Sequence, residues 1–258
     1  MPRQFLLALI GAMTAFGGCA VDTAPTWERI FDGASLNGWT PKITGEALGE
    51  DADGIFQTAD GALIVAYPEG AVFVGAFGHL YFDEALTDYR LRLEYQFTGA
   101  QIENGPDWAY MNSGVMVHAQ APETMRRGQD FPVSVEAQVL GAGPRAPDRT
   151  TANICTPGTH IVVDGDLVTQ HCINSQTPAA PAGEWVPFEI EVRGGALIQL
   201  FIAGEAAFTL TDPTYDADNG DVARLGYSGS VDQGYFALQA ESHPVAFRNI
   251  ELMRLPLR

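Results

Sequence analysis

Apolar and polar residues alternate with a period of two along several stretches of the chain. The alternation is clearest over Asp88–Phe97, in which every second residue is Tyr, Leu or Phe. Because successive side chains of a strand point to opposite faces, this pattern predicts strands with one buried face. Further stretches of this kind are Phe131–Leu140, Val186–Arg193, Ala196–Ile202, Gly234–Glu241 and Val245–Leu252. Helical periodicity is weak outside a turn at Pro122–Arg127, so we expect an all-β sandwich of two antiparallel sheets.

The polar positions of these strands carry paired charged and amide side chains. They are Arg92, Glu94 and Gln96; Asn112 and His118; Glu136 and Gln138; and Gln239 and Glu241. On a concave sheet these groups would line a groove. The alternative is that they are ordinary solvent-facing residues, since alternation by itself places polar groups on an outer face.

Composition narrows the class of partner. Of the 258 residues, 46% are hydrophobic and 18% charged, and the 28 Gly and 16 Pro indicate many turns. The formal net charge is −18, from 14 Lys and Arg against 32 Asp and Glu. Such a surface repels phosphate backbones and anionic lipid headgroups, which argues against nucleic acid as a partner and favours a neutral or cationic one.

The N-terminal segment has the pattern of an export signal. An apolar run, Phe5–Phe16, follows the positive charge of Arg3 and is too short to span a bilayer. Small residues then precede Cys19, as in the cleavage box of bacterial lipoproteins, whose cysteine becomes lipidated. The alternative is an ordinary cleaved signal peptide.

These features predict an organisation in three parts. Residues 1–19 form a lipoprotein signal peptide ending in the lipidation cysteine, 20–26 a tether, and 27–258 a single β-sandwich domain. Ala20 rather than Asp follows the cysteine, which favours the outer membrane or a periplasm-facing location. Membrane contact is then expected through the lipid anchor only.

The two remaining cysteines, Cys155 and Cys172, predict one disulfide in an oxidising compartment. Residues 159–169 between them predict a hairpin with an Asp164-Gly165 turn, which would bring the cysteines together. The alternative is a zinc site that includes His160 and His171, although the spacing matches no standard ligand pattern.

Six motifs in order resemble the 3-keto-disaccharide hydrolase family, formerly a domain of unknown function. They are Phe31-Asp32-Gly33 with Leu36-Asn37-Gly38-Trp39, Asn112-Ser113-Gly114, Glu136-Ala137-Gln138, Gly183-Glu184-Trp185, Phe236-Ala237-Leu238-Gln239 and Phe247-Arg248-Asn249-Ile250. The resemblance implies a concanavalin-A-like jelly roll with a carbohydrate site on its concave sheet. It also implies cleavage of glycosides whose sugar is oxidised to a ketone at C3.

A C3 ketone acidifies the hydrogen on C2, so a base can remove it and the C1 substituent can leave. This chemistry needs a base, a proton donor for the leaving oxygen and a group that stabilises the enolate. We expect Glu136 as the base or a metal ligand and His118 as the acid or an electrophile. Glu94 and Gln138 are expected to position the sugar or a cation, and Arg92 to steady the enolate.

Other candidates for binding substrate are Asn112, Gln239, His243 and Trp108, the last by stacking on a sugar ring. Each has a structural alternative, such as an ion pair between Glu94 and Arg92 or packing of Trp108. Two-carboxylate glycosidase chemistry through Glu94 and Glu136 is a further alternative.

These motifs identify no cofactor, and a divalent cation is a candidate. Residues 216–221 have the oxygen density of a calcium loop, yet they lack the Glu that an EF-hand needs. The rival functions are a non-catalytic carbohydrate-binding module and a structural protein of the cell envelope.

Overall fold

A computed structural model describes residues 24–256. Its strands are β1 (Glu28–Arg29), β2 (Trp39–Ile43), β3 (Phe56–Ala59), β4 (Ala62–Val65), β5 (Gly78–Phe82), β6 (Asp88–Phe97), β7 (Asn112–Ala119), β8 (Val135–Leu140), β9 (Asn153–Cys155), β10 (Thr159–Val163), β11 (Asp166–Val168), β12 (Cys172–Ile173), β13 (Val186–Arg193), β14 (Leu197–Ile202), β15 (Glu205–Tyr215), β16 (Tyr235–Ala240) and β17 (Val245–Arg254). Short helical segments are α1 (Gly220–Leu225) and 3-10 turns at Asp107–Ala109 and Pro122–Thr124. Within 24–256, no helix has the length and apolar character needed to cross a membrane.

The strands form two antiparallel sheets. The larger has 10 strands, in the order β11-β10-β15-β14-β13-β6-β17-β4-β3 with β1 paired to β17. The smaller has 7 strands, in the order β12-β9-β8-β7-β16-β5-β2. The predicted all-β sandwich is confirmed.

The hydrophobic core lies between the sheets and follows the period-two pattern. In β6, the Tyr, Leu and Phe residues all point inward, and none is more than 3% exposed. From the smaller sheet, β8 and β16 contribute Val135, Ala137, Val139, Phe236, Leu238 and Ala240. The alternate residues of these two strands, Glu136 and Gln239 among them, therefore lie on the other side of the smaller sheet, which we call the pocket face.

Residues 120–131 cover part of the pocket face. Met125 packs there against Tyr81, Met116 and Ala237, with Phe131 beside them. The segment is held by the Gln129 side chain, which donates to Gln120 Oε1 (2.9 Å) and to the carbonyl oxygen of Phe131 (2.9 Å). Because this segment folds over the sheet, β8 begins at Val135 and not at Phe131 as predicted.

Cys155 and Cys172 form the predicted disulfide and are register partners in β9 and β12. The zinc alternative is thereby wrong. The hairpin between them also forms, as β10 and β11, with positive φ at Asp164 (52°) and Gly165 (88°) in its turn. However, it belongs to the larger sheet, whereas the cysteines lie in the smaller one.

The predicted signal peptide, Cys19 and residues 20–23 of the predicted tether lie outside the described residues. Lipidation therefore stays a prediction. The described chain enters the sandwich through β1, at the larger sheet.

Candidate active site

A pocket of about 660 Å³, which we call the central pocket, lies over the pocket face. Its volume is in the range typical of small-molecule sites. Its lining residues are Trp108, Asn112, Phe131, Glu136, Gln138, Leu140, Asp148, Arg149, Thr150, Asn153, Cys155, Pro157, His171, Cys172, Asn174 and Glu241. Four predicted site residues therefore meet here: Glu136, Gln138, Asn112 and Trp108.

Glu136 is the second residue of β8 and is 5% exposed. Gly114, in the neighbouring strand β7, leaves space for its carboxyl, since a Cβ at Gly114 would lie 2.8 Å from Glu136 Oε1. The Asn-Ser-Gly motif thus provides the gap that Glu136 needs. Oε1 is buried and finds no hydrogen-bond partner among the described residues.

Burial raises the pKa of Glu136 to about 8, and the nearby Gln239 amide acts in the opposite direction. A carboxyl with this pKa exchanges its proton near neutral pH.

Glu241, which follows β16, is the second buried carboxyl of the central pocket and is 2% exposed. Burial raises its pKa well above the usual value, and the charge of Glu136 raises it further. Its Oε2 also finds no partner within residues 24–256. Two buried carboxyls that repel each other's charge share protons, so at neutral pH the pair holds at least one.

Arg149 brings a positive charge to this pair. Its guanidinium donates to the carbonyl oxygens of Tyr110 and Trp108 and lines the central pocket beside Glu241. Its charge opposes the increase in the pKa of Glu241. A guanidinium fixed by backbone carbonyls is a suitable group for stabilising a developing oxyanion.

Amide side chains complete the polar wall. Asn153 Nδ2 donates to Gln138 Oε1 (3.2 Å), so the amide nitrogen of Gln138 is the donor it can offer to a ligand. Asn112 Nδ2 donates to the carbonyl oxygen of Trp108 (3.3 Å), and the buried Asn112 Oδ1 finds no partner in the described chain. Such donors and acceptors match the hydroxyl groups of a sugar.

Trp108 stands at the rim and is 53% exposed. Its ring stacks on Phe77 at a centroid distance of 5.8 Å, and Phe77 contacts Phe131 at 4.8 Å. The outer face of Trp108 is therefore supported from behind and open to a ligand.

The prediction that Arg92, Glu94 and Gln96 line the same groove as Glu136 is wrong. They lie in β6 of the larger sheet, on its outer face, with the whole core between them and the central pocket. Arg92 forms an ion pair with Glu251 (2.6 Å), and Glu94 forms one with Arg248 (2.5 Å). Two-carboxylate chemistry through Glu94 and Glu136 is excluded by this separation.

The prediction that His118 lies on the pocket face is also wrong. Alternation along β7 would direct it to the pocket face, but a bulge opposite β16 gives His118 a φ of 51° and redirects its side chain. Its Nε2 donates to the carbonyl oxygen of Gly194 (3.1 Å), in the turn between β13 and β14. Burial lowers the pKa of this imidazole, which does not line the central pocket.

Two other candidates lie near the site but not in its wall. Gln239 is fully buried on the pocket face beside Glu136. His243 packs edge-on against Phe97 (5.8 Å) and Tyr110 (5.4 Å), and burial lowers its pKa to about 4. His243 therefore does not form the groove rim that we predicted.

Sequence reasoning gave no role to Glu241 and missed Arg149. The alternating pattern placed Glu241 among the polar-face residues and so contained a signal for it. Arg149 lies in a loop with no periodicity, and only the fold shows that it reaches the carboxyl pair.

The acidic stretch 216–221 has local structural roles. Asn219 caps α1, accepting from the backbone N–H groups of Asp221 (2.9 Å) and Val222 (3.2 Å), and Asp221 forms an ion pair with Arg126 (2.9 Å). Within residues 24–256, no group of three or more His, Cys, Asp or Glu side chains is arranged to hold a metal ion.

Solved structures share the fold. A Parabacteroides distasonis ATCC 8503 protein, whose assignment as a glycosyl hydrolase is provisional, is 16% identical with a TM-score of 0.52, covering 89% of this chain and 100% of that one. A Bacillus subtilis protein of unknown function with a galectin-like fold is 10% identical with a TM-score of 0.54, covering 92% and 98%. The VIP36 exoplasmic/lumenal domain, bound to Ca²⁺ and mannose, is 9% identical with a TM-score of 0.50, covering 90% and 93%. These likenesses confirm the concanavalin-A-like jelly roll.

Among curated proteins, none matches the chain significantly. The family model of the 3-keto-alpha-glucoside-1,2-lyase-like domain matches residues 26–253. This match spans both sheets and every residue of the central pocket, and it confirms the resemblance carried by the six motifs. The chain therefore belongs to the 3-keto-alpha-glucoside-1,2-lyase-like domain family.

Proposed function

We propose that the protein cleaves 3-keto-glycosides by removing the C2 proton and expelling the C1 substituent. Family membership supports a carbohydrate-active function. The observation that carries the finer proposal is the pair of buried carboxyls, Glu136 and Glu241, beside the Arg149 guanidinium in the central pocket.

The reaction balances without an oxidant or reductant. A carboxylate takes the C2 proton, and the electrons of the C2–H bond form an enolate with the C3 carbonyl. The enolate then reforms the C3 carbonyl and a C1=C2 double bond as the C1–O bond breaks, and the leaving oxygen accepts a proton. Addition of water, with its oxygen to C1 and a proton to C2, completes a hydrolysis.

Each step has a suited side chain. Glu136, with a pKa of about 8, is the base. Glu241, whose pKa is higher than usual because of burial and the charge of Glu136, keeps its proton at neutral pH and donates it to the leaving oxygen. Arg149 stabilises the enolate, the role that the sequence had given to Arg92.

The test is cleavage of 3-keto-disaccharides by the purified protein, with products followed by mass spectrometry. Glu136→Gln is expected to lower the rate by at least about a hundredfold, the usual contribution of a positioned base. Glu94→Gln, the same change on the larger sheet, is the matched control and is expected to leave the rate unchanged. Equal rates in all three proteins would contradict the proposal.

The exposed ring of Trp108 supports a second candidate, a non-catalytic carbohydrate-binding module. Binding of intact glycans that Trp108→Ala abolishes, without cleavage of any 3-keto-disaccharide, would establish this function in place of the first.

For location, the proposal is an exported lipoprotein anchored through Cys19. It is supported by the apolar run before that cysteine and by the disulfide, which is typical of oxidising compartments. Labelling with a fatty-acid analogue is expected for the full chain and not for Cys19→Ser. Equal labelling of the two would contradict the anchor.

A further inference from the structure

A second cavity, of about 460 Å³, adjoins the central pocket. We call it the side chamber, and its polar lining includes Arg126, Asp130, His160, Thr169, Asp216 and Asp221. Phe131, Pro157 and His171 line both cavities, so the two adjoin at these residues, which we call the threshold.

The threshold is close to the base. Glu136 is the register partner of Cys155, and Pro157 is two residues further along the chain. Adjacent strands are about 5 Å apart and two residues of extended chain span about 7 Å, so the Cα atoms of Glu136 and Pro157 are at most about 12 Å apart. A sugar that reacts at Glu136 can therefore present its neighbouring group to the threshold.

The side chamber is polar and acidic. Its wall holds three carboxylates, Asp130, Asp216 and Asp221, against the single guanidinium of Arg126. Asp221 pairs with Arg126 (2.9 Å) and also with Arg224 (3.1 Å), which lies outside the wall. Asp216 Oδ1 lies 3.5 Å from His160 Nε2, and the buried Nδ1 of His160 finds no partner within the described chain. Hydroxyl groups and positively charged groups fit this wall, whereas carboxylates and phosphates are repelled.

We propose that the side chamber binds the leaving group of the glycoside and selects neutral or amino-bearing polyhydroxylated leaving groups over carboxylated ones. The inference rests on the proposed cleavage of 3-keto-glycosides and adds the part of the substrate that determines specificity.

The test compares two substrates with the same 3-keto unit, a 3-keto-disaccharide and a 3-keto methyl glycoside. Thr169→Trp fills the side chamber from an exposed position of its wall. It is expected to raise KM for the disaccharide about tenfold, because the leaving sugar loses its contacts with the side chamber. The methyl glycoside has no leaving sugar, so its kcat/KM is expected to stay unchanged. Thr209→Trp, an equally bulky change on the exposed face of β15, is the matched control.

A second comparison tests the charge preference. Wild type is expected to cleave a disaccharide with a neutral leaving sugar faster than one with a uronic acid leaving group, and Asp216→Asn is expected to narrow this difference. Both assays are run with and without a chelator.

The outcomes separate the two proposals. Cleavage of both substrates with no selective effect of Thr169→Trp, or without a preference against the uronic acid, would overturn the side-chamber assignment alone. A preference that disappears with chelator would assign the acidic wall to a cation and would also overturn it. Failure of wild type to cleave either substrate would overturn the cleavage proposal and this one with it.

Discussion

The Glu136 carboxyl combines a central position in the pocket with a pKa raised to about 8 by burial. A base acts only when it is deprotonated, so kcat/KM for a 3-keto-disaccharide is expected to rise as the pH passes through about 8 and to fall as the pH decreases below it. The measurement is a pH–rate profile from pH 5 to 10. A rate that is flat across this range would contradict the role of Glu136 as base.

The same pKa predicts how stability depends on pH. The folded Glu136 holds its proton up to pH about 8, whereas the unfolded side chain releases it near its ordinary pKa of 4.5. The unfolded state therefore binds fewer protons between these values, and the free energy of unfolding falls as the pH rises through them.

Glu136→Gln removes the ionisable carboxyl. It therefore removes both the decrease in the free energy of unfolding at high pH and the catalytic base. The variant is expected to be more stable than wild type at pH 8, by up to several kcal/mol at about 1.4 kcal/mol per pKa unit, with a smaller difference at pH 5. Urea unfolding at the two pH values measures this. A variant that is less stable than wild type at pH 8 would show that the carboxyl is not held uncharged by burial.

Gly114 gives a test of geometry without a change of charge. An added methyl group would lie 2.8 Å from Glu136 Oε1, so Gly114→Ala must displace the carboxyl. We expect kcat to fall about a hundredfold, since small displacements of a catalytic group have effects of this size. Gly220→Ala, where an added Cβ also meets nothing within 4 Å and which lines neither cavity, is the control. Full activity in Gly114→Ala would contradict the placement of Glu136.

At the scale of elements, the disulfide joins the short edge strand β12 to β9 and so holds one wall of the central pocket. The cysteines are 17 residues apart, and closing a loop of this size stabilises a protein by about 3 kcal/mol. The double variant Cys155→Ser/Cys172→Ser is expected to lose about this much in urea unfolding. An equal loss of stability on reduction of the wild-type protein would support the contribution of the disulfide. Unchanged stability in both the double variant and the reduced wild type would contradict it.

Strands with regular alternation were predictable from the sequence, and irregular ones were not. In β6, alternation placed each Leu, Tyr and Phe in the core correctly. In β7, the bulge at His118 turns the His118 side chain to the opposite face of the strand. Nothing in the local sequence marks a bulge in that position. A period of two cannot identify which sheet a strand joins, and for this reason Glu94 was placed beside Glu136.

At the scale of the whole molecule, the two sheets carry polar faces of different kinds. The pocket face has buried carboxyl and amide oxygens, such as Glu136 Oε1, Glu241 Oε2 and Asn112 Oδ1, that find no hydrogen-bond partner among residues 24–256. The larger sheet instead carries exposed ion pairs such as Arg92–Glu251 and Arg248–Glu94. The sequence predicted both sets of polar residues and the sandwich that separates them. It could not predict that a loop brings Arg149 to the carboxyl pair, because that contact depends on the packing of segments distant in the chain.

The exposed pairs are expected to contribute little. Glu94→Gln removes the ion pair with Arg248, whose side chain is 40% exposed, so we expect a loss below about 1 kcal/mol in urea unfolding. A decrease of several kcal/mol in the free energy of unfolding would show that this ion pair contributes substantially to stability.

The proposed function requires Glu136 to remove the C2 proton of a 3-keto-glycoside. The most direct measurement is the rate of cleavage of a 3-keto-disaccharide carrying deuterium at C2, compared with the unlabelled substrate, under single-turnover conditions. We expect slower cleavage of the deuterated substrate and, for unlabelled substrate in heavy water, deuterium at C2 of the hydrolysed product. Cleavage at equal rates, with C2 hydrogen fully retained in heavy water, would show direct displacement at C1 and would contradict the account.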